Sequence, residues 1–316
     1  MAALRIFKST APLGLSRQEW ALIAITALWG GTFVAIHYAL EHSGPLFFVG
    51  LRFFLAGLIS AAVFHRALRG IRWTEVGAGS AIGLTIFVGY GLQTVGLQTI
   101  QPSTSAFISA LYVPLVPLMQ WVIFKKVPRK STLAGVLLAF AGLAFIAGPG
   151  LTSLGLGTGE LVTVLSAFAM AAEIILIGLL APRMNLQRLT IVQLLVAGIL
   201  PFVVMPVANE SIPAFSWSWL LPAIALGCAS CLIQLTMSWA QRSVSPTRAT
   251  IIYAGEPVWG GLFGRLAGDR LPPLALIGAA LIILGTVVSE YRPRPSRPRQ
   301  GIRKHSRDST KRSMTP

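Results

Sequence analysis

The sequence predicts an all-α integral membrane protein with ten transmembrane helices in two inverted five-helix repeats. The chain is 54% hydrophobic and 11% charged, and its mean hydropathy is +0.71, whereas an ordinary soluble domain is about 25% charged. Apolar runs that could each cross about 30 Å of hydrocarbon as a helix recur along the whole chain. They lack the alternation of barrel strands, and open sheets cannot span lipid, so the sequence indicates a helical bundle.

Ten apolar runs are long enough to span a bilayer, five in each half of the chain. They cover residues 18–39, 46–64, 76–98, 103–124, 131–148, 159–180, 188–208, 217–239, 247–268 and 273–290. We therefore divide the chain into a first repeat, residues 18–148, a linker, 149–158, and a second repeat, 159–290. Residues 1–17 form a predicted cytoplasmic tail, and residues 291–316 form a basic cytoplasmic tail that we expect to be disordered.

The two halves share a pattern at a constant offset of 143 residues. In each half, a proline-broken apolar run is followed by a charged turn and then by an apolar run with two glycines seven residues apart. A repeat of this length in a membrane protein is typical of transporters built from two related halves. The matching residues are Ala106 and Ala249, Pro114 and Pro257, Gly135 and Gly278, and Gly142 and Gly285.

Lysine and arginine are distributed unevenly between the two sides of the predicted membrane. Of these 26 residues, 23 fall in or beside the two tails and the loops after the second, fourth, sixth and eighth helices. The other side receives Arg265 and Arg270, and Arg52 lies within the second helix. The positive-inside rule therefore puts both termini in the cytoplasm. Five helices per half is an odd number, so the second half must enter the membrane inverted, in agreement with the repeat.

The basic tail raises the question of nucleic acid as a partner. Arginine alternates with proline and serine from Arg292 to Arg299, but no aromatic residue follows Tyr291 that could stack on bases. We therefore expect no nucleic-acid partner and interpret the tail as a solvated segment near anionic lipid headgroups. For the whole chain we expect a monomer or a weak homo-oligomer in the lipid bilayer.

Three acidic or basic residues lie inside the predicted helices and outside their terminal turns, where a charge costs at least about 2.5–3.5 kcal/mol. Glu256 lies near the midplane directly before Pro257, so it could contact substrate and couple transport to protons, or it could brace the kink by hydrogen bonding. Glu173, which has small neighbours, could equally line a cavity or bond another helix. Arg52 is near the outer end of its helix, and we expect it to snorkel to the interface rather than bind substrate. His37 is expected to be interfacial rather than a proton relay.

Polar and aromatic side chains in the apolar runs supply the candidate substrate site. As a set they predict a pocket for a small organic molecule rather than an ion filter, although each could instead hold helices together by hydrogen bonding. Pro114 and Pro257, together with Pro117, are predicted to break their helices. The substrate-binding candidates are Trp29, Thr32, Tyr90, Gln93, Ser109, Tyr112, Gln234, Tyr253 and Glu256.

The sequence offers no pattern for catalysis, a metal or a cofactor. Cys228 and Cys231 have redox spacing, but a disulfide between them would strain an intact helix, and two cysteines cannot close a zinc site. We interpret them as packing residues. There is no phosphate-binding loop, no HExxH motif and no long soluble segment for an ATPase. We therefore expect that any transport is driven by a gradient of substrate or of an ion.

Five short motifs together resemble the EamA-type proteins of the drug/metabolite transporter superfamily, over roughly residues 18–290. The motifs are Leu28-Trp-Gly-Gly-Thr-Phe33, Leu51-Arg-Phe-Phe54, Glu256-Pro257, Gly268-Asp-Arg-Leu271 and Gly278-Ala-Ala-Leu-Ile-Ile-Leu-Gly285. The resemblance implies ten helices, inverted repeats and secondary transport in the bacterial inner membrane, commonly export of amino acids or other metabolites. The chain departs from the family pattern at Lys125-Lys126, since members often carry an acid in that turn.

Three functional classes remain open. A secondary transporter that moves a small organic metabolite by alternating access, most often an exporter, explains the repeat, the midplane glutamate and the broken helices. A scaffold or receptor-like bundle would not need polar groups at the midplane. A membrane-embedded enzyme would need clustered acid and base residues, whereas the four histidines are scattered.

Overall fold

The computed structural model describes residues 15–125, 127, 129–147, 157–270 and 272–290, and these contain helices and turns but no strand. The predicted C-terminal tail lies outside the described residues, as do most of the predicted N-terminal tail and of the linker between the repeats.

The helices follow the predicted apolar runs. The first half contains α1 (Arg17–Leu40), α2 (Pro45–Val63), the short α3 (His65–Leu68), α4 (Trp73–Gly96), α5 (Pro102–Ser109), α6 (Tyr112–Phe124) and α7 (Lys130–Ala147). The second half contains α8 (Thr158–Leu180) with a 3₁₀ turn at Ala181–Arg183, α9 (Leu186–Val204), α10 (Trp217–Ala240), α11 (Pro246–Tyr253), α12 (Glu256–Leu266) and α13 (Pro273–Glu290).

Local chemistry sets where several helices begin. At the start of α1, the Ser16 hydroxyl accepts from the Glu19 amide at 3.2 Å, and the Glu19 carboxylate accepts from the Ser16 amide at 2.6 Å. This reciprocal capping box satisfies two amides that have no partner within the helix. Helices α2, α5 and α11 each begin with proline at the first turn, where its missing N–H costs nothing.

Seven stretches of the described chain are both long and apolar enough to cross a membrane. They are α1, α2, α4, α5 with α6, α8 with its 3₁₀ turn, α9 and α10. The other predicted crossings correspond to α7, to α11 with α12, and to α13, of which α7 and α13 contain shorter apolar stretches. The chain is therefore a helical membrane protein.

Two of the predicted runs are divided into half-helices. The first is interrupted at Ala110–Leu111 and the second at Ala254–Gly255. Each break lies within one turn before a proline, because proline has no N–H for the carbonyl four residues earlier and its ring clashes with that carbonyl. Pro117, by contrast, lies inside α6, so the expectation that it breaks the helix is wrong.

The long helices form two packed groups that mix the two halves of the sequence. In one group α4 packs against α8 and α9, and in the other α10 packs against α1 and α2. The groups meet where α2 packs against α9. The half-helices join this core through α12 with α1 and α6 with α8, and α7 and α13 pack mainly against each other.

Gly30 allows a close approach of α1 and α12. A Cβ there would lie 2.6 Å from the Trp259 Cβ and 2.8 Å from the Glu256 carbonyl oxygen. We therefore expect Gly30→Ala to separate the two helices and to lower the melting temperature by several degrees, measured by thermal unfolding in detergent. Gly77→Ala is the matched control because that position has open space. Equal melting temperatures for the two variants would contradict this packing.

Candidate functional site

The two helix breaks meet in the interior of the bundle. Tyr112 is the first residue of α6, and Glu256 is the first residue of α12. The Tyr112 hydroxyl donates to Glu256 Oε2 at 2.8 Å and also lies 3.2 Å from the carbonyl oxygen of Tyr253. That carbonyl is the one that Pro257 leaves without a helical N–H. One phenol therefore lies between the two breaks: its single proton is directed to Glu256, and the free carbonyl of the second break is its alternative acceptor.

Glu256 has an unused hydrogen-bonding atom in this contact. Its side chain is only 1% exposed, yet Oε1 has no hydrogen-bond partner among the described residues. A buried polar oxygen without a partner costs free energy comparable to a lost hydrogen bond. Oε1 is therefore free to bind a proton or to accept a hydrogen bond from a donor group of a bound ligand.

Trp29 organises an aromatic cluster around this contact. Its ring stacks with Tyr90 and with Tyr112 at centroid separations of 6.2 Å each, and it meets Tyr253 edge-on at 5.7 Å. The Tyr253 hydroxyl accepts from Gln241 Nε2 at 3.2 Å. The aromatic wall thus draws on α1, α4, α6 and α11, which both halves of the chain supply.

A second polar network lies among α8, α9 and α10. Gln234 Nε2 donates to Glu173 Oε1 at 2.8 Å, and Gln193 Nε2 donates to Gln234 Oε1 at 3.2 Å. Glu173 is 1% exposed, and its bond to Gln234 is the interhelical bond that the sequence left as one of two alternatives. Gln193 was not among the predicted site residues, although its amide within an apolar run could have identified it.

Arg52 lies inside the bundle rather than at an interface. It is 2% exposed, its Nε donates to the Ser230 hydroxyl at 2.6 Å, and its guanidinium lies 5.1 Å and 5.6 Å from the ring centroids of Phe53 and Tyr90. The expectation that it snorkels outward is wrong, because α2 is packed between α9 and α10. His37 is half-buried, and its Nδ1 lies 3.1 Å from the carbonyl oxygen of Leu97.

The remaining candidates contact the cluster less directly. Gln93 Nε2 donates to the Ser109 hydroxyl at 2.8 Å and so joins α4 to α5. The Thr32 hydroxyl donates to the Trp29 carbonyl of its own helix at 2.7 Å, so its polar group is satisfied locally. All nine substrate-binding candidates are at most 3% exposed. The cluster is therefore closed to both faces of the bundle in this structure.

Ionic contacts close the near end of the bundle, which we define as the end at which α1 begins. Glu19 of α1 pairs with Arg248 of α11. Glu75 of α4 pairs with Arg188 of α9 at 3.2 Å, and the Arg188 Nε donates to the carbonyl of Ala67 at 2.8 Å. Both pairs join a helix of the first half to a helix of the second.

Carboxylates capping helices close the opposite end, which we call the far end. Asp269 Oδ2 accepts from the amide of Ser103 at 2.9 Å and from its hydroxyl at 2.6 Å, at the start of α5. Glu210 accepts from the amides of Leu46 and Phe47, at 3.0 and 2.6 Å, at the start of α2. Anionic groups at helix N-termini complement both the free amides and the helix dipole.

Comparison with known proteins places this arrangement among membrane transporters. The sequence model of the EamA-like transporter family matches twice, over residues 18–148 and 157–291. An uncharacterized transporter of Archaeoglobus fulgidus is 31% identical over 285 residues, which cover 89% of this chain and 86% of that protein. The uncharacterized inner membrane transporter YedA of Escherichia coli K12 is 26% identical, with 85% and 89% covered. A probable amino-acid metabolite efflux pump of Salmonella typhimurium is 25% identical, with 87% and 90% covered.

The fold is also found among solved structures. One crystal structure of a protein superposes with a TM-score of 0.64 and covers 87% of this chain and 96% of its own. The two sequences are 19% identical, so the match shows a shared fold alone.

Proposed function

This chain belongs to the EamA-like transporter family, and we propose that it moves a small organic metabolite, an amino acid or a related compound, by alternating access as a secondary transporter. The observation that carries the proposal is the buried contact between Tyr112 and Glu256 at the meeting of two broken helices. Breaks of this kind expose backbone and polar groups in the interior of a membrane bundle, where transporters build their substrate sites. The predicted direction is export, and the predicted location is the bacterial inner membrane.

The same proposal includes ten crossings in two inverted five-helix repeats. Helices α4 and α10 begin 144 residues apart, and the same interval separates α5 from α11 and α6 from α12. The packing is reciprocal: a Cβ on Gly142 would lie 2.5 Å from the Gly278 carbonyl oxygen, and one on Gly285 would lie 2.5 Å from that of Gly135. These relations support a pseudo-two-fold axis between the halves.

The two closed ends suggest how access would alternate. With the near-end ion pairs intact and the far-end caps released, the cluster would open to the far end. With the caps intact and the ion pairs released, it would open to the near end. The two helix groups meet along α2 and α9, so rocking about that contact would exchange the two states. A solute stabilises whichever state it binds more tightly, and a solute that binds both states is transported across the membrane.

The alternatives receive less support from the site. A scaffold would not require a buried glutamate with an unpartnered oxygen at a helix break. An enzyme would need a reactive cluster of side chains. The buried glutamates instead contact amide and phenol groups, and no three metal-binding side chains come together in the part of the chain that the structure describes.

We expect a reporter fused after Pro316, and one inserted near residue 68, to report the cytoplasm. Reporters near residues 153 and 210 should report the exterior. This follows from the concentration of lysine and arginine on one side of the membrane. Paired phosphatase and fluorescent-protein fusions in a bacterial host measure both outcomes, and an exterior signal from the tail would contradict ten crossings.

The transport proposal is tested by counterflow in proteoliposomes. Purified protein is reconstituted, the vesicles are loaded with one unlabelled metabolite at a time, and entry of the same labelled metabolite is followed without ATP. We expect transient accumulation for a restricted set of small metabolites. Protein-free vesicles are the control, and the absence of counterflow for every member of an amino-acid and metabolite panel would contradict transport.

A further inference from the structure

Arg52 is a buried cation for which the described residues supply no counter-ion. The ion pairs among the described residues join Glu19 to Arg248 and Glu75 to Arg188, and neither involves Arg52, which is 2% exposed. A guanidinium does not lose its proton in proteins, so a fixed positive charge lies within the helix bundle. Buried charges are normally paired, because an isolated one is costly to desolvate.

The groups around Arg52 compensate only part of this charge. Its Nε donates to the Ser230 hydroxyl, and its guanidinium lies near the rings of Phe53 and Tyr90. Such rings attract a cation, but they do not accept the directed hydrogen bonds of a guanidinium. Nη1 and Nη2 make no hydrogen bond to the described residues. They form the part of the side chain that matches a carboxylate in a two-pronged contact.

The aromatic cluster connects Arg52 to Glu256. The Tyr90 ring near Arg52 also stacks on Trp29, and Trp29 stacks on Tyr112, whose hydroxyl bonds Glu256. One aromatic wall therefore runs from a cation with free donors to a carboxyl group with a free acceptor, Oε1. A cation beside aromatic rings complements an α-amino acid, whose carboxylate can bind the guanidinium while its ammonium group lies against a ring.

We propose that Arg52 binds the carboxylate of the transported solute, and that the substrates are α-amino acids or closely related zwitterions with a free carboxylate. Ser230 holds Nε, which leaves Nη1 and Nη2 for the ligand. The ammonium group of the solute faces the Tyr90 ring, which lies next to Arg52. This assignment rests on the proposed transport function and adds a residue that the sequence did not place in the site.

A carboxylate fits Arg52 better than a more highly charged anion does. One guanidinium can neutralise one negative charge, and the same interior contains the carboxyl groups of Glu173 and Glu256, both 1% exposed. A phosphate dianion would leave one negative charge unpaired in an interior that already contains two acids, which is costly. Monoanionic carboxylates with an attached ammonium group carry no net charge into the site.

The first test compares each proteinogenic L-amino acid with its α-carboxamide on the wild-type protein. Thermal stabilisation in detergent reports binding, and counterflow in proteoliposomes reports transport. We expect the amino acids that bind to lose at least about tenfold in apparent affinity as carboxamides, because the amide cannot accept two charge-assisted hydrogen bonds. Equal responses to acids and amides would overturn the Arg52 assignment while leaving transport intact. No response to either set would overturn the proposed function and the assignment together.

The second test uses variants of the same residue and its partner. We expect Arg52→Gln to remove the preference for acids over amides, and Arg52→Lys to retain part of it, because lysine keeps the charge but not the planar fork. Ser230→Ala removes only the bond that orients Nε, so it should weaken binding of acids and not of amides while preserving the fold. Arg265→Gln is the control because Arg265 is exposed. Unchanged discrimination in Arg52→Gln and Ser230→Ala would contradict the assignment.

Discussion

Glu256→Gln should yield a protein that folds, binds its solute and exchanges it between equal pools, but no longer concentrates it against a gradient. Glutamine preserves the shape of a protonated carboxyl and can still accept from the Tyr112 hydroxyl, but it cannot titrate. If Glu256 couples solute to protons, its neutral and charged forms must favour different states of the cavity. The accumulation ratio driven by an imposed pH gradient should therefore fall to about one.

Proteoliposomes measure this result directly, with counterflow and gradient-driven accumulation recorded in the same preparation. Glu41→Gln is the matched control, since Glu41 is an exposed carboxylate at the end of α1. Glu256→Leu separates bracing from coupling. It removes the closer of the two acceptors of the buried Tyr112 hydroxyl, so it should destabilise the protein by about 1–3 kcal/mol. Concentrative transport by Glu256→Gln at near the wild-type rate would show that Glu256 only braces the kink.

Replacing Pro114 and Pro257 together with alanine should slow turnover at least about tenfold while leaving the protein folded. Alanine returns an N–H to the carbonyl four residues earlier and favours a continuous helix. In the second broken helix that carbonyl belongs to Tyr253, which now lies 3.2 Å from the Tyr112 hydroxyl. The double substitution should therefore weaken the link between the two half-helix pairs and stabilise one state of the cavity.

Pro222→Ala is the matched control, because Pro222 lies inside the unbroken helix α10. Counterflow rates and melting temperatures are measured for both proteins. The double variant should lose rate without losing stability, and the control should retain its rate. A double variant that exchanges solute at the wild-type rate would show that the breaks are not needed for gating.

The positions of the helices could be predicted from the sequence because hydropathy and proline act locally. Each apolar run contains a helix or a pair of half-helices, and the breaks precede Pro114 and Pro257 by less than a turn. Pro117 shows the limit of the local argument. It lies three residues after Pro114 and within the first two turns of α6, where the surrounding helix accommodates it.

The arrangement of the site depends on how helices cross, which a single sequence does not specify. Arg52 lies in the half of α2 nearer the far end, but contact with α9 and α10 buries it. Thr32 has the right position on α1 but bonds its own backbone. Gln193 and Gln241 were missed, although both are buried and bonded to site residues, Gln234 and Tyr253. Their amides within or next to apolar runs were the available signal.

The central claim is that the cluster around Glu256 opens alternately to the two faces, and paired distance measurements test it most directly. At the near end Glu19 joins α1 to α11, and at the far end His37 joins α1 to Leu97 at the end of α4. Spin labels at Arg17 and Ser243 would follow the first contact, and labels at Glu41 and Thr99 the second. All four positions are exposed, and the two native cysteines are first replaced by serine.

The distances are measured by electron–electron double resonance in lipid nanodiscs, with and without a solute that gives counterflow. Alternating access predicts two populations at each end, and the solute should lengthen the distance at one end while it shortens the distance at the other. Distances that change together at both ends, or that do not respond to a transported solute at either end, would contradict the account.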